Sequence, residues 1–243
     1  MSKNITPYKE SSLSKKEQVT QMFDTISGNY DGLNRVISFG IDVKWRKKAI
    51  KQLSALAPKK ILDVATGTAD VAIMASGIKK KKKIVGIDIS EGMLEVGRKK
   101  IGKAGLQHII ELLNGDSETI NFEDGSFDAV TVAFGVRNFQ HLEKGLSEIY
   151  RVLKPGGKLV VLEFSKPKMP GVKWMYNLYM KIVCPNVGKL FSKNRNAYKY
   201  LDESIQKFPE GNNFTNILDN PGYKNSYCKT LSLGICSIYC GTK

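Results

Sequence analysis

Six residues have the types and spacing to hold a nucleotide-like ligand: Gly67, Thr68, Asp88, Asp116 and Ser117, with Asp63 just upstream. The stretch Lys60-Ile61-Leu62-Asp63-Val64-Ala65 is apolar and then breaks at Thr66-Gly67-Thr68. Beyond the break, Val71, Met74, Ala75 and Ile78 recur at helical spacing, so the segment predicts strand, tight turn, helix. Such a turn lets backbone N–H groups and a helix N-terminus approach a ligand. Asp88 ends a second short apolar run, and Asp116-Ser117 follow a third. An acid after the second strand can accept from two ribose hydroxyls, and one after the third can reach an exocyclic amine. The Thr68 hydroxyl is expected to be free for the ligand. Asp88 could instead cap the next helix, and Asp116 could sit in a plain turn.

The 20-residue gap from Thr68 to Asp88 would suit a dinucleotide site. That site needs G-x-G-x-x-G, whereas Ala65-Thr66-Gly67-Thr68-Ala69 holds one glycine. A pyrophosphate requires close backbone approach at several points, so the turn favours a ligand without phosphate over NAD.

The elements that must position these residues follow from the pattern along the chain. Ser14-Lys15-Lys16-Glu17 has the form of a capping box and starts a helix carrying Val19, Met22, Phe23 and Ile26. Gly28 to Gly32 is expected to break it, and a second helix is expected from Asp42 to Leu56, stopped by Pro58. Strands are expected at Ile61–Ala65, Ile84–Asp88, Ile109–Leu113, Phe127–Ala133 and Lys158–Phe164, the last after a sharp Pro155-Gly156-Gly157 turn. Helices alternate with them, which predicts a doubly wound, mostly parallel α/β sheet of seven strands. One domain results: a tail and helices over 1–57, a ligand-binding core over 58–165, a helical insertion over 166–220 and a hairpin over 221–243 that has an antiparallel last strand and gives the sheet an antiparallel edge.

The 243 residues carry a net charge of +15, which attracts polyanions or an anionic membrane face. Lys79 to Lys83 form an unbroken run, read as a solvated loop. No apolar stretch is long enough to span a membrane, and the start lacks a signal peptide, so the expected location is the cytoplasm. Cys184, Cys228, Cys236 and Cys240 form no C-x-x-C pair, and only His108 and His141 accompany them, so no metal site is expected.

Several motifs go beyond the nucleotide turn. Asp63 to Asp70, Asp88, Phe127-Asp128-Ala129-Val130 and Leu153-Lys154-Pro155-Gly156-Gly157 resemble the class I S-adenosylmethionine-dependent methyltransferases. Met22-Phe23-Asp24, Tyr30-Asp31, Phe134-Gly135-Val136-Arg137-Asn138, Leu162-Glu163-Phe164-Ser165-Lys166-Pro167 and Tyr200-Leu201 are similar to the menaquinone and ubiquinone C-methyltransferases. So is the ending Leu233-Gly234-Ile235 with Ile238-Tyr239. Serine is frequent in that family where Ala133 stands, and alanine where Pro221 stands.

The resemblance implies S-adenosylmethionine as cofactor at Gly67, Thr68, Asp88, Asp116 and Ser117, and methylation of a ring carbon of a polyprenylated quinol, foremost demethylmenaquinol. An aromatic carbon becomes nucleophilic once a ring hydroxyl loses its proton. Arg137 is the candidate to stabilise that phenolate, with Asn138, Tyr198 and Tyr200 orienting the ring. The competing reading for Arg137 is a structural salt bridge. Trp174, Met175, Leu178, Tyr179, Ile182 and Val183 beside Lys173, Lys181 and Lys189 form either core or a face for the isoprenoid tail and an anionic membrane surface. A benzoquinol acceptor, an RNA methyltransferase, an NAD-dependent oxidoreductase and a non-catalytic binder are the alternatives. A nucleic-acid partner is disfavoured because Ala133 to Asn138 holds no proline of the Asp/Asn-Pro-Pro-aromatic type. A second copy of the chain stays open as a partner.

Overall fold

The computed structural model describes residues 5–78, 82–191 and 195–243. Lysines 79–81 of the lysine run, and the side chains of Val183, Cys184, Lys189 and Tyr198, lie outside the described residues.

Ser14 caps helix α1 (Lys15–Ile26) by the expected capping box, with Glu17 bonding back to the Ser14 N–H at 2.8 Å. A 3-10 turn at Ser27–Asn29 then leads straight into α2 (Tyr30–Ile37), where the sequence predicts only a break. Gly28 and Gly32 face open space, and buried Leu33 anchors the helix, so burial outweighs the glycine cost of about 1 kcal/mol each. Helix α3 (Ile41–Lys51) follows Gly40, which has φ of 72°. It turns Trp45, Ala49 and Ile50 inward and stops at Lys51, short of the expected Leu56.

The alternating part runs β1 (Lys60–Val64), α4 (Asp70–Ser76), β2 (Lys83–Asp88), α5 (Glu91–Lys103), β3 (Ile110–Asn114), β4 (Phe127–Ala133), α6 (Leu142–Val152) and β5 (Leu153–Phe164). The insertion is α7 (Pro170–Phe191), α8 (Arg195–Lys207) and α9 (Asn212–Asp219), and the chain ends in β6 (Lys224–Leu231) and β7 (Cys236–Thr242). The seven strands form one sheet in the order β3-β2-β1-β4-β5-β7-β6. Pairings among β1 to β5 are parallel, and β7 is antiparallel to both its neighbours.

The last two strands pair as the expected hairpin: the last strand is antiparallel, and β6 is the edge. Burial explains the order: Cys236, Ile238, Tyr239 and Cys240 of β7 are fully covered, whereas β6 exposes Lys224 and Lys229 as an edge strand does. One local expectation is corrected: Pro155 to Gly157 is not a turn ahead of the strand. It is an irregularity within β5, where the register jumps from Phe127↔Leu153 to Ala129↔Lys158 and Gly156 takes φ of 76°.

Both faces of the sheet are packed, as the period-two alternation requires. Ile61 faces the side covered by Trp45, Ala72 and Leu94, while Leu62 and Val64 face Leu146, Ile149 and Phe214. Helices α1, α2, α7 and α8 lie outside these layers, near the carboxyl ends of β1, β2 and β4.

Candidate active site

The turn after β1 is held from beneath and from the side. Ala65, Gly67 and Ala69 take left-handed φ of 52°, 56° and 65°. Asp63 accepts the Thr66 hydroxyl at 2.6 Å and the Thr131 hydroxyl at 2.6 Å, so it braces the turn and does not face a ligand as the sequence predicts. Burial pushes its carboxyl up to about 6, opposed by those two hydrogen bonds. A side chain at Gly135 would bring a Cβ within 2.5 Å of the Ala65 Cβ. The loop after β4 therefore closes against the turn only because that position is glycine.

Asp88 accepts from the Gly67 N–H at 2.8 Å and from the Ser90 N–H at 2.9 Å, one on each oxygen. It is therefore aimed by backbone while each oxygen keeps capacity for another donor. Burial pushes it up to about 6, with these backbone bonds pulling the other way. Gly67, Asp88, Asp116 and Ser117 line one cavity, together with Ile89, Met93, Gly115 and Ala133. An acid at each end with apolar Ile89 and Met93 alongside fits a ligand carrying a sugar diol, an aromatic base and an exocyclic amine. Four of the five expected cofactor residues thus come together.

Thr68 does not join them. Its hydroxyl donates to Asp31 at 2.6 Å and receives Lys100 Nζ at 3.2 Å, and its side chain is buried beside that pair. The hydroxyl expected to be free fastens α2 to the core. Helix α1 covers the cavity with Val19 and Phe23, its Lys16 ammonium pairs with Asp116, and Lys15 Nζ bonds the carbonyl oxygens of Arg137 (3.1 Å) and Phe139 (2.7 Å). Burial, with Arg137 nearby, lowers Lys15 to about 8.

A second, larger cavity of about 450 Å³ lies between this turn region and helices α1, α2, α3, α7 and α8. Its walls are mostly apolar, including Ile26, Leu33, Trp45, Phe134, Phe164 and Tyr176. Arg137, Asn138 and Tyr200 all line it. Arg137 Nη1 donates to Glu163 Oε1 at 2.7 Å and to the Phe134 carbonyl at 2.6 Å, so the structural salt bridge is real. It does not exhaust the guanidinium. Among the described residues, Arg137 Nε, Asn138 Oδ1 and the Tyr200 hydroxyl are buried without hydrogen-bond partners, and unsatisfied polar atoms of this kind in one cavity invite a polar ligand. Burial raises Glu163, opposed mainly by Arg137, and raises the Tyr200 phenol well above its ordinary range. Tyr200 is therefore a donor here and not a base.

The two cavities share Phe23, Tyr30, Phe134 and Asn138 as a common wall. The sequence did not point to Ser38, Asp42 and Arg46, which also line the larger cavity. The spacing of Asp42 and Arg46, four residues apart on an inward-facing helix, was the available signal. Trp174, Met175, Leu178 and Ile182 on α7 are exposed, which removes the core reading for them, while Tyr176 of the same helix is buried.

A mostly parallel sheet with an antiparallel seventh strand is the fold of the class I S-adenosylmethionine-dependent methyltransferases, and with the family matched below S-adenosylmethionine is the cofactor. Solved structures share the fold. A methyltransferase from Thermotoga maritima aligns with a TM-score of 0.64 at 20% identity over 92% of this chain and 99% of that one. One from Methanococcus maripaludis aligns with a TM-score of 0.59 at 18% identity over 97% of both chains. The chain belongs to the ubiE/COQ5 methyltransferase family, whose model matches residues 11–243. It is 48% identical to a demethylmenaquinone methyltransferase of Bacteroides fragilis over 98% of this chain and 97% of the relative. It is 45% identical to a ubiquinone/menaquinone biosynthesis C-methyltransferase of Geotalea daltonii over 94% and 97%.

Proposed function

We propose that the protein transfers a methyl group from S-adenosylmethionine to a ring carbon of demethylmenaquinol, giving menaquinol. The observation that carries this is the shared wall of Phe23, Tyr30, Phe134 and Asn138, which sets the cavity that holds Asp88 and Asp116 against a larger, mostly apolar one. The cofactor supplies an electrophilic methyl group. Gly67, Asp88, Asp116 and Ser117 would hold it, and Phe134 and Asn138 line both its cavity and the acceptor's. Arg137 stabilises the ring oxyanion through its unpaired Nε while Glu163 holds the guanidinium in place. Asn138 and Tyr200 orient the ring. The walls keep water from the transfer. Near-full-length relatives named demethylmenaquinone methyltransferase support the ring, and relatives whose names also include ubiquinone make a benzoquinol the second choice. Labelled S-adenosylmethionine with short-chain demethylmenaquinol should give labelled menaquinol. Product only with the benzoquinol counterpart would replace the ring, and product with neither would overturn the reading.

The isoprenoid tail leaves toward a membrane surface. Phe39, Met175 and Leu233 line the larger cavity and are also 78%, 65% and 66% exposed, so its rim is apolar and open. Trp174 and Leu178 continue that surface, with exposed Lys168, Lys173 and Lys181 beside it to meet anionic headgroups. No helix among the described residues is long and apolar enough to cross a membrane. Sedimentation with anionic vesicles should exceed that with neutral ones and fall with salt; equal binding to both would remove the electrostatic part.

A further inference from the structure

The larger cavity has a second polar place besides Arg137, Asn138 and Tyr200. Asp42 and Arg46 lie one turn apart on α3, both line the cavity, and both are almost fully buried. Arg46 Nη1 is paired with Asp42. Asp42 is further held by the Ser38 hydroxyl at 2.8 Å and by Arg35. Among the described residues, the bond to Asp42 is the one hydrogen bond of the Arg46 guanidinium. Its remaining N–H donors are not among the buried partnerless atoms, so they open onto the cavity that Arg46 lines, free to meet a ligand. Arg46 is also fixed in place by packing, with its Cζ 5.1 Å from the centre of the Phe134 ring. Arg137 lies correspondingly over Phe164, at 5.5 Å, and the two rings are 4.6 Å apart. The cavity thus offers two separate guanidiniums, one against each ring of an aromatic pair. Each is braced by its own buried carboxylate, Asp42 or Glu163, and each has N–H groups to spare.

A quinol is a flat apolar ring with an oxygen at each of two opposite positions. Two separated donors in an apolar cavity match that pattern. We propose that Arg46, positioned by Asp42, donates to the quinol oxygen opposite the one that Arg137 faces. Arg46 is then a positioning residue: it prevents the ring from turning over and keeps a single ring carbon toward the methyl donor. Neither Arg46 nor Asp42 takes a proton or forms a bond in the transfer. The inference rests on the quinol reading above.

The test uses two acceptors in the full-length protein with S-adenosylmethionine. One is short-chain demethylmenaquinol. The other is the corresponding 1-naphthol, which keeps the hydroxyl beside the reacting carbon and lacks the opposite one. A hydrogen bond to a charged donor predicts that the unmodified protein prefers the quinol by about tenfold or more in kcat/KM. In Arg46→Met that preference should collapse toward unity, with the quinol KM rising and the naphthol little affected. Arg46→Lys keeps the charge and packs beside Asp42; it should retain folding and recover part of the preference. Arg46 acting only in folding would slow both acceptors by the same factor and leave the ratio intact, which would overturn the proposal. So would an unmodified protein that does not discriminate between the two. Methylation of neither acceptor by the unmodified protein would instead overturn the quinol reading, and this inference with it.

Discussion

The two cavities are built by different means. The cofactor cavity stands on strand ends: Asp88 closes β2, Gly115 to Ser117 follow β3, and Ala133 to Gly135 follow β4. Its polar groups are placed largely by backbone, as when the Gly67 and Ser90 N–H groups aim Asp88. The acceptor cavity stands mostly on helices outside the sheet layers, and its few polar groups are placed by other side chains, as Glu163 places Arg137 and Asp42 places Arg46. A backbone-built site keeps its strand-end groups in place when the helices that cover it shift. A side-chain-built site depends on segments far apart in sequence. Damage to one cavity should therefore separate cleanly from damage to the other.

The largest separation is expected at Arg137. Arg137→Met should lower kcat by about 100- to 1,000-fold, the usual loss for one oxyanion donor, while calorimetry finds cofactor affinity unchanged. A parallel loss of cofactor affinity would mean that the two cavities are not independent. Asp88→Asn should do the reverse, weakening cofactor binding about 10- to 100-fold with little change in quinol KM. A smaller effect follows from pH. Burial raises the free-protein pKa of Asp88 to about 6, and only the ionised form has both oxygens as full acceptors for the two hydroxyls of a diol. Cofactor affinity should be flat above that pH and fall about tenfold per unit below it. In Asp88→Asn the titration should disappear; if it survives, Asp63, also near 6, is responsible.

The same contrast governs how much could be read from the sequence. Local periodicity places β1, β2, β3 and β4 within a residue of their observed ends, and with them Gly67, Asp88, Asp116 and Ser117. Where a distant partner decides the outcome, the local signal does not suffice. Thr68 sits in the turn as expected, yet Asp31 takes its hydroxyl across 37 positions. Gly28 marks the break between α1 and α2, yet Gly32 also looks like a breaker and tertiary burial of Leu33 carries α2 past it. Arg137, Asn138 and Tyr200 were accessible through family resemblance, since nothing in their spacing reports a common cavity. Asp42 and Arg46 lay in plain view as a helix pair, but only the packing of α3 against Phe134 gives them a shared surface with the acceptor.

Phe134 carries one more consequence. It sits between the cavities with φ of 58°, a backbone state that costs a non-glycine residue on the order of 1 kcal/mol or more. Its N–H is fixed to the Leu162 carbonyl at 2.7 Å, so the chain cannot relax away from that state. Glycine would suit the backbone there, but it would delete the ring that Arg46 and Phe164 pack against. Phe134→Gly therefore sets two quantities against each other. Lost packing exceeds relieved strain, so Tm should fall by less than for Phe134→Ala, which loses the ring and keeps the strain. Turnover should collapse in both. The gap between the two melting temperatures measures how much thermal tolerance this fold gives up to keep an aromatic side chain at that position.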